Sequence, residues 1–126
     1  MSLPGITADS GFLIGLERSK ARAILLLKAS KDKRQRIVVP VAALAEWCRG
    51  SQQHAQILKL GFNVEAMNER LAKTAGEAIA SVDQASVVDA IVMASAASRG
   101  DVVYTSNFDD LSRLRGHFRS VRIVSV

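Results

Sequence analysis

A single cysteine, Cys48, leaves this 126-residue chain without the means to form an internal disulfide. No apolar run approaches the length that spans a bilayer. The MSLPGIT start lacks a basic region followed by an apolar core, so no signal peptide is expected. Together these absences place the protein in the cytoplasm as an expectation. Nucleophilic thiol chemistry is also disfavoured. Cys48 neighbours Trp47 inside a helical stretch, and His54 and His117 lie in segments far from it. A lone helical cysteine is ordinarily a small core residue. No repeat or low-complexity segment is visible, and the length fits one domain, residues 1–126, with room for a real core. Apolar residues make up 48% and charged residues 23%, as in ordinary globular proteins. The balance of 17 Lys and Arg against 12 Asp and Glu gives a net charge of +5, which suits a polyanionic partner.

Along the chain, β-capable and helical stretches alternate. Gly5 to Ala8 reads as a short strand cut off by Asp9-Ser10-Gly11. A helix follows from Phe12 to Leu27, with a break near Arg18-Ser19, and the basic KASKDKRQR segment (28–36) forms a helix end and loop. Ile37 to Val39 is the second strand, stopped at Pro40. Val41 to Arg49 is a helix ended by Gly50, and Gln52 to Leu60 an amphipathic helix closed by Gly61. Phe62 to Ala66 reads as a third strand, and Asn68 caps a helix from Glu69 to Val82. A helix from Ser86 to Ser98 ends at Gly100. A strand from Val102 to Thr105, a helix from Asn107 to Arg115 and a strand from Ser120 to Val126 complete the chain. This alternation predicts an α/β sandwich, a central parallel sheet of about five strands with helices on both faces. The apolar strands agree, because parallel sheets are covered on both sides.

The helix at 86–98 is apolar or small on every side except at Asp89, and such a helix belongs inside a fold. A carboxylate there is costly unless paired or metal-bound. Three further acidic positions recur at matching places: Asp9 after the first strand, Glu46 in the helix after the second, and Asp109/Asp110 after the fourth. In a parallel sheet these emerge at the C-terminal edge, where open α/β sheets hold their ligands. Oxygen ligands of this kind select a hard divalent ion such as Mg²⁺ or Mn²⁺. Singly, each acid has a structural role: Asp9 as a helix cap, Glu46 as a partner of Arg49 at i,i+3, and Asn107 with Asp110 as a capping box with Asp109 on the dipole. The functional reading rests on the set.

Four stretches, ITADSGFLIGLER, VVPVAALAEWCRG, SVVDAIVMASAASRGDVVYTSNFDDLSRL and VRIVSV, resemble in order and spacing the PIN-domain ribonucleases, particularly the VapC-like toxins of VapBC-type toxin–antitoxin pairs. The resemblance runs from about Ile6 to Val126. It implies a PIN-like three-layer sandwich, a Mg²⁺- or Mn²⁺-dependent endoribonuclease, a homodimer, and an antitoxin protein as partner. Carried over by position, Asp9, Glu46 and Asp89 are the catalytic, metal-holding acids, with Asn107 and Asp110 completing the metal site and Ser10, Thr105 and Asp109 supporting it. Thr105 matches the Thr of the family's T-x-D strand end, where this chain has Asn107 in place of the aspartate. Ser86 stands where relatives often carry an acid three residues before the central one.

RNA would be held by basic residues, for which Lys33, Arg34, Arg36, Arg49 and Arg113 are the candidates. Leu44, Trp47 and Leu58 are the candidates for a groove that takes an antitoxin's amphipathic segment. The alternative function is a PIN-like module that binds RNA or protein without cutting, motivated by the neutral residue at 107. A phospho-receiver domain shares the topology but needs an acidic pair after the first strand and a lysine near the last strand. The chain has neither.

Overall fold

The computed structural model describes residues 3–126, so the first two residues of the MSLPGIT start lie outside it. The elements in order are β1 (Ile6–Ala8), α1 (Ser10–Glu17), α2 (Ala21–Asp32), β2 (Ile37–Pro40), α3 (Val41–Cys48), α4 (His54–Leu58), β3 (Asn63–Glu65), α5 (Glu69–Ser81), α6 (Val87–Arg99), β4 (Val102–Thr105), α7 (Phe108–Ser112) and β5 (Arg122–Ser125). The five strands form one parallel sheet in the order β3-β2-β1-β4-β5. No helix among the described residues is long and apolar enough to cross a membrane.

Local chemistry explains most of the boundaries. Ser19, at φ 55°, enters the left-handed region and separates α1 from α2, where the sequence predicts a break. Asn68 caps α5 by accepting the Leu71 amide at 2.8 Å. Gly100, at φ 73°, is the left-handed residue that ends α6. Two predicted helices are shorter in the structure: α4 begins at His54, and α7 stops at Ser112 before a run of turns.

Ile6, Ala8, Val39 and Val103 fill the sheet's interior, and α6 buries a continuous run from Ala90 to Ala96. The edge strands are only partly covered. Val64 in β3 is 45% exposed, so the expectation of strands buried on both faces holds for the inner three alone. Strand alternation sends Thr7 to the face opposite Ile6 and Ala8. There it meets α6 in a polar network with no signal in the sequence. Arg99 donates to Asp101 Oδ2 and Thr7 Oγ1, both at 2.9 Å, to Ser95 Oγ at 2.8 Å and to Glu65. Ser95 Oγ in turn donates to Glu65 Oε1 at 2.6 Å.

The proposed antitoxin groove needs correction. Trp47 is 2% exposed and belongs to the core, with its indole N–H donating to Glu17 Oε1 at 2.8 Å. Leu44 and Leu58 are half-buried and pack against the same core. An amphipathic pair of helices reads alike in sequence whether it covers its own sheet or receives a partner. Here α3 and α4 cover the core, and Trp47 cannot line a groove.

Candidate metal centre at the C-terminal edge of the sheet

Asp9 leaves the C-terminal end of β1 and is the N-cap of α1, 1% exposed. Its two carboxylate oxygens are held separately. Oδ1 accepts the Ser10 amide at 2.8 Å, and Oδ2 accepts the Thr105 hydroxyl at 2.7 Å. Thr105 Oγ1 accepts the Asn107 amide N–H at 2.9 Å. A chain of three groups thus ties the end of β4 to the end of β1, and each bond polarises the next. Burial pushes the Asp9 carboxyl up, opposed by the bonds from Thr105 and Ser10, while the Glu46 charge pushes it further up.

Close approach of the β4–α7 loop to α1 makes this possible. A Cβ at Gly11 would stand 2.1 Å from Ser106 Oγ and 2.8 Å from the Ser106 backbone nitrogen. Gly11→Ala is therefore expected to displace the 105–107 loop and cost about 1–3 kcal/mol through overpacking. The checks are chemical denaturation and the ion-induced rise in melting temperature, both of which should fall. An unchanged protein would mean the loop does not need the contact.

Glu46 stands on the exposed side of α3 and accepts the Ser10 hydroxyl at 2.5 Å, which brings the helix after β2 to the start of α1. Its bland reading, a pair with Arg49, is absent among the ion pairs of the described residues. Asp89 is half-buried in the first turn of α6, where Ser86 Oγ caps the helix by accepting the Asp89 amide at 3.0 Å. Its carboxyl is pushed up to about 6, first by burial and then by the charges of Asp9, Glu46 and Asp110, against the Ser86 bond. Four carboxylates predicted as a set therefore share one field. The capping-box reading of Asn107 is not met, because its side chain makes no cap bond to α7. Asp109 is exposed beside Asp110, which lies 3.6 Å from Arg113.

These residues fit a hard divalent ion by donor chemistry: oxygen ligands only, mutually repelling, with no cation among the causes acting on Asp89. No group of three or more Asp, Glu, His or Cys side chains among the described residues is gathered into a ready coordination sphere. Mg²⁺ tolerates such spacing, since it keeps several waters and takes one or two carboxylates directly.

The basic candidates divide. Arg49 ends α3, the helix that carries Glu46, and Arg113 follows α7, 3.6 Å from Asp110. Lys33, Arg34 and Arg36 immediately precede β2 and line a concavity with Gly5, Arg99 and Asp101, at the N-terminal edge. The length of the sheet separates them from Asp9 and Asp89, so they cannot flank a phosphate held there. Their place before β2, not after it, is the sequence signal of that edge. Two cations outside any basic cluster lie at the C-terminal end of β5: Lys20 Nζ donates to Val126 O at 2.9 Å and Arg22 Nε to Ser125 O at 2.6 Å.

No family model and no curated protein sequence matches the chain. Solved structures do. Over 96% of this chain and 98% of the other, it superposes on a chain of the VapBC2 complex of Rickettsia felis bound to promoter DNA, with TM-score 0.73 and 12% identity. The DNA-bound VapBC of Salmonella typhimurium gives TM-score 0.73 at 16% identity over 98% of each chain. VapBC-1 of nontypeable Haemophilus influenzae gives 0.70 at 18%, over 95% and 96%. The fold is PIN-like. At these identities the likeness concerns the PIN-like frame, and the resemblance read from the sequence is met at that level. Within the frame, Asp9 follows β1, Glu46 lies in α3, Asp89 in the first turn of α6 and Asp110 in α7.

Proposed function

We propose that the protein is a Mg²⁺- or Mn²⁺-dependent endoribonuclease and the toxin of a VapBC-type pair, with RNA as substrate, an antitoxin protein as partner and a homodimer as its working form. One observation carries the reading: on a PIN-like frame, Ser10 and Thr105 tie the Asp9 and Glu46 carboxylates together where β1 and β4 end. When bound there, the ion supplies charge neutralisation for the scissile phosphate and a water of lowered pKa. The chain's own residues set the stage. Thr105 and Ser10 orient the Asp9 carboxylate, whose oxygens each retain a second lone pair for an ion or its waters. Ser10 likewise positions Glu46. Arg113, 3.6 Å from Asp110, and Arg49, which ends the helix that carries Glu46, are the cations that would take neighbouring phosphates.

The test is cleavage of a mixed RNA pool by the purified protein across Mn²⁺ and Mg²⁺ concentrations. Wild type should cut, and Asp9→Asn should not. Binding without cutting at any ion concentration would favour the non-cleaving module, the reading suggested by the neutral Asn107. The same assay measures Asn107→Asp. A unit charge at about 4 Å is worth about 1–4 kcal/mol between water and a surface dielectric, so the half-maximal Mn²⁺ concentration should fall roughly tenfold. Helix stability will not confuse the result, since the Asn107 contact to Thr105 is made by the backbone. Coincident curves for Asn, Asp and Ala would remove position 107 from the ion site.

A further inference from the structure

Phe108 is the one Phe, Tyr or Trp side chain among the described residues that is exposed. Phe12, Trp47, Tyr104 and Phe118 lie in the core, and Phe62 is packed against it. At 37% exposure, the Phe108 ring is only partly withdrawn from water. It opens α7 immediately before Asp109 and Asp110, and it lines a concavity with Ser106, Asn107, those two acids and Ser125. This hollow adjoins the candidate ion site, because Asn107 in its wall is bonded to Thr105, which is bonded in turn to the Asp9 carboxylate. It is also lined by Ser125, whose carbonyl accepts from the exposed Arg22. The hollow thus holds an exposed ring and two carboxylates, and a cation is bonded to the Ser125 carbonyl at its rim.

A ring, a cation and a neighbouring ion site are the groups that the bases and phosphates of a nucleic acid strand take. A duplex cannot present a base face to a ring, whereas an unpaired base can. Aromatic side chains are the usual sequence-tolerant platforms for such bases. We propose that Phe108 is the base-stacking residue of the site, holding an unpaired base next to the scissile phosphate while Arg22 takes the adjoining phosphate. The inference rests on the endoribonuclease reading and names the side chain of this protein that holds the substrate's base. It also assigns Phe108 a role in binding and position selection, not in the chemical step.

Two measurements test it. The first is the affinity of the full-length protein for a fluorescein-labelled single-stranded RNA, read by anisotropy, which needs no cleavage. Phe108→Ala and Phe108→Leu should both bind roughly tenfold more weakly than wild type, and Phe108→Trp should bind at least as well. Leucine keeps most of the apolar area and loses the π-face, so wild-type affinity in Phe108→Leu would overturn stacking. The second is cleavage in Mn²⁺ of RNAs carrying one abasic nucleotide at each position in turn. Wild type should show a raised KM, with little change in kcat, at one position beside the cut, and Phe108→Ala should be insensitive there. Wild-type cleavage with no position-specific difference from Phe108→Ala overturns this inference alone. Absence of wild-type cleavage overturns the endoribonuclease reading, and the anisotropy series still decides whether Phe108 stacks on RNA. Melting temperatures of the variants, expected within about 2 °C of wild type for an exposed position, exclude unfolding as the cause.

Discussion

Asp89→Asn is expected to stabilise the ion-free protein at pH 7.5 and, in the same stroke, to remove its response to Mn²⁺. The Asp89 carboxyl is pushed up to about 6 in the folded protein, from 3.8. Below about pH 4 folded and unfolded chains both carry the proton, and no penalty exists. Between about 4 and 6 the folded state keeps a proton that the unfolded state has lost, so stability falls as pH rises. Above about 6 the full cost of an ionised Asp89 is present. A sealed site would make that cost about 3 kcal/mol; solvent screening of this half-exposed group reduces it to about 1 kcal/mol. The amide carries no such cost, so the two proteins should melt together near pH 4 and separate by about 2–4 °C above pH 6 in EDTA. Millimolar Mn²⁺ should raise the wild-type melting temperature by binding linkage and leave Asp89→Asn nearly unmoved. RNA cleavage should drop at least about 100-fold, since even outer partners of metal ligands cost 10–100-fold. A melting difference independent of pH, or an equal Mn²⁺ shift in both proteins, would take Asp89 out of the carboxylate cluster.

The largest loss of stability is expected at Arg99, at the end of α6 remote from the acids. Its side chain is 20% exposed and its partner Asp101 only 5%. Arg99→Met leaves Asp101 and Glu65 facing each other across an apolar stem, with Thr7 and Ser95 each short of a donor. Removing one partner of a buried ion pair costs about 3–5 kcal/mol, because the remaining charge has lost both its counter-ion and its water. For a domain of this size the melting temperature should fall by roughly 10 °C. Arg99→Lys should recover only part of the loss, since an ammonium cannot reach four acceptors through a planar fork. Guanidinium melts at neutral pH of wild type, Met and Lys variants measure this. A cost under about 1 kcal/mol for Arg99→Met would show the network to be solvated and of little weight.

The two ends of α6 therefore differ in kind. At its C-terminal end charge is paired and stabilising; at its N-terminal end charge is unpaired and costly. That division is the expected arrangement for a fold that is locked on one edge and holds a ligand site on the other.

Much of this was legible from residue order alone. Alternating strand and helix patterns, the breaks at Ser19 and Gly100 and the cap at Asn68 are local effects, decided by backbone preferences within a few residues. Asp9, Glu46 and Asp89 were recognisable because each follows a parallel strand or sits alone on an apolar helix. Parallel connectivity then carries them to one edge. What adjacent residues do not encode is the partner that arrives from far along the chain. Glu17 reaches Trp47 across 30 positions and makes it core, not surface. Thr105 reaches Asp9 across 96, and Arg99 reaches Thr7 across 92. Charge density singled out Lys33, Arg34 and Arg36, yet only the sheet shows that they stand at the edge opposite Asp9, while Lys20 and Arg22 are bonded to the chain at the C-terminal end of β5. Sequence by itself determined the elements, their parallel order and the acids, because these depend on local propensity and chain direction. Tertiary packing alone decided which polar groups are buried, which charges share a field and which ring is left bare, because each depends on contacts between segments that folding brings together.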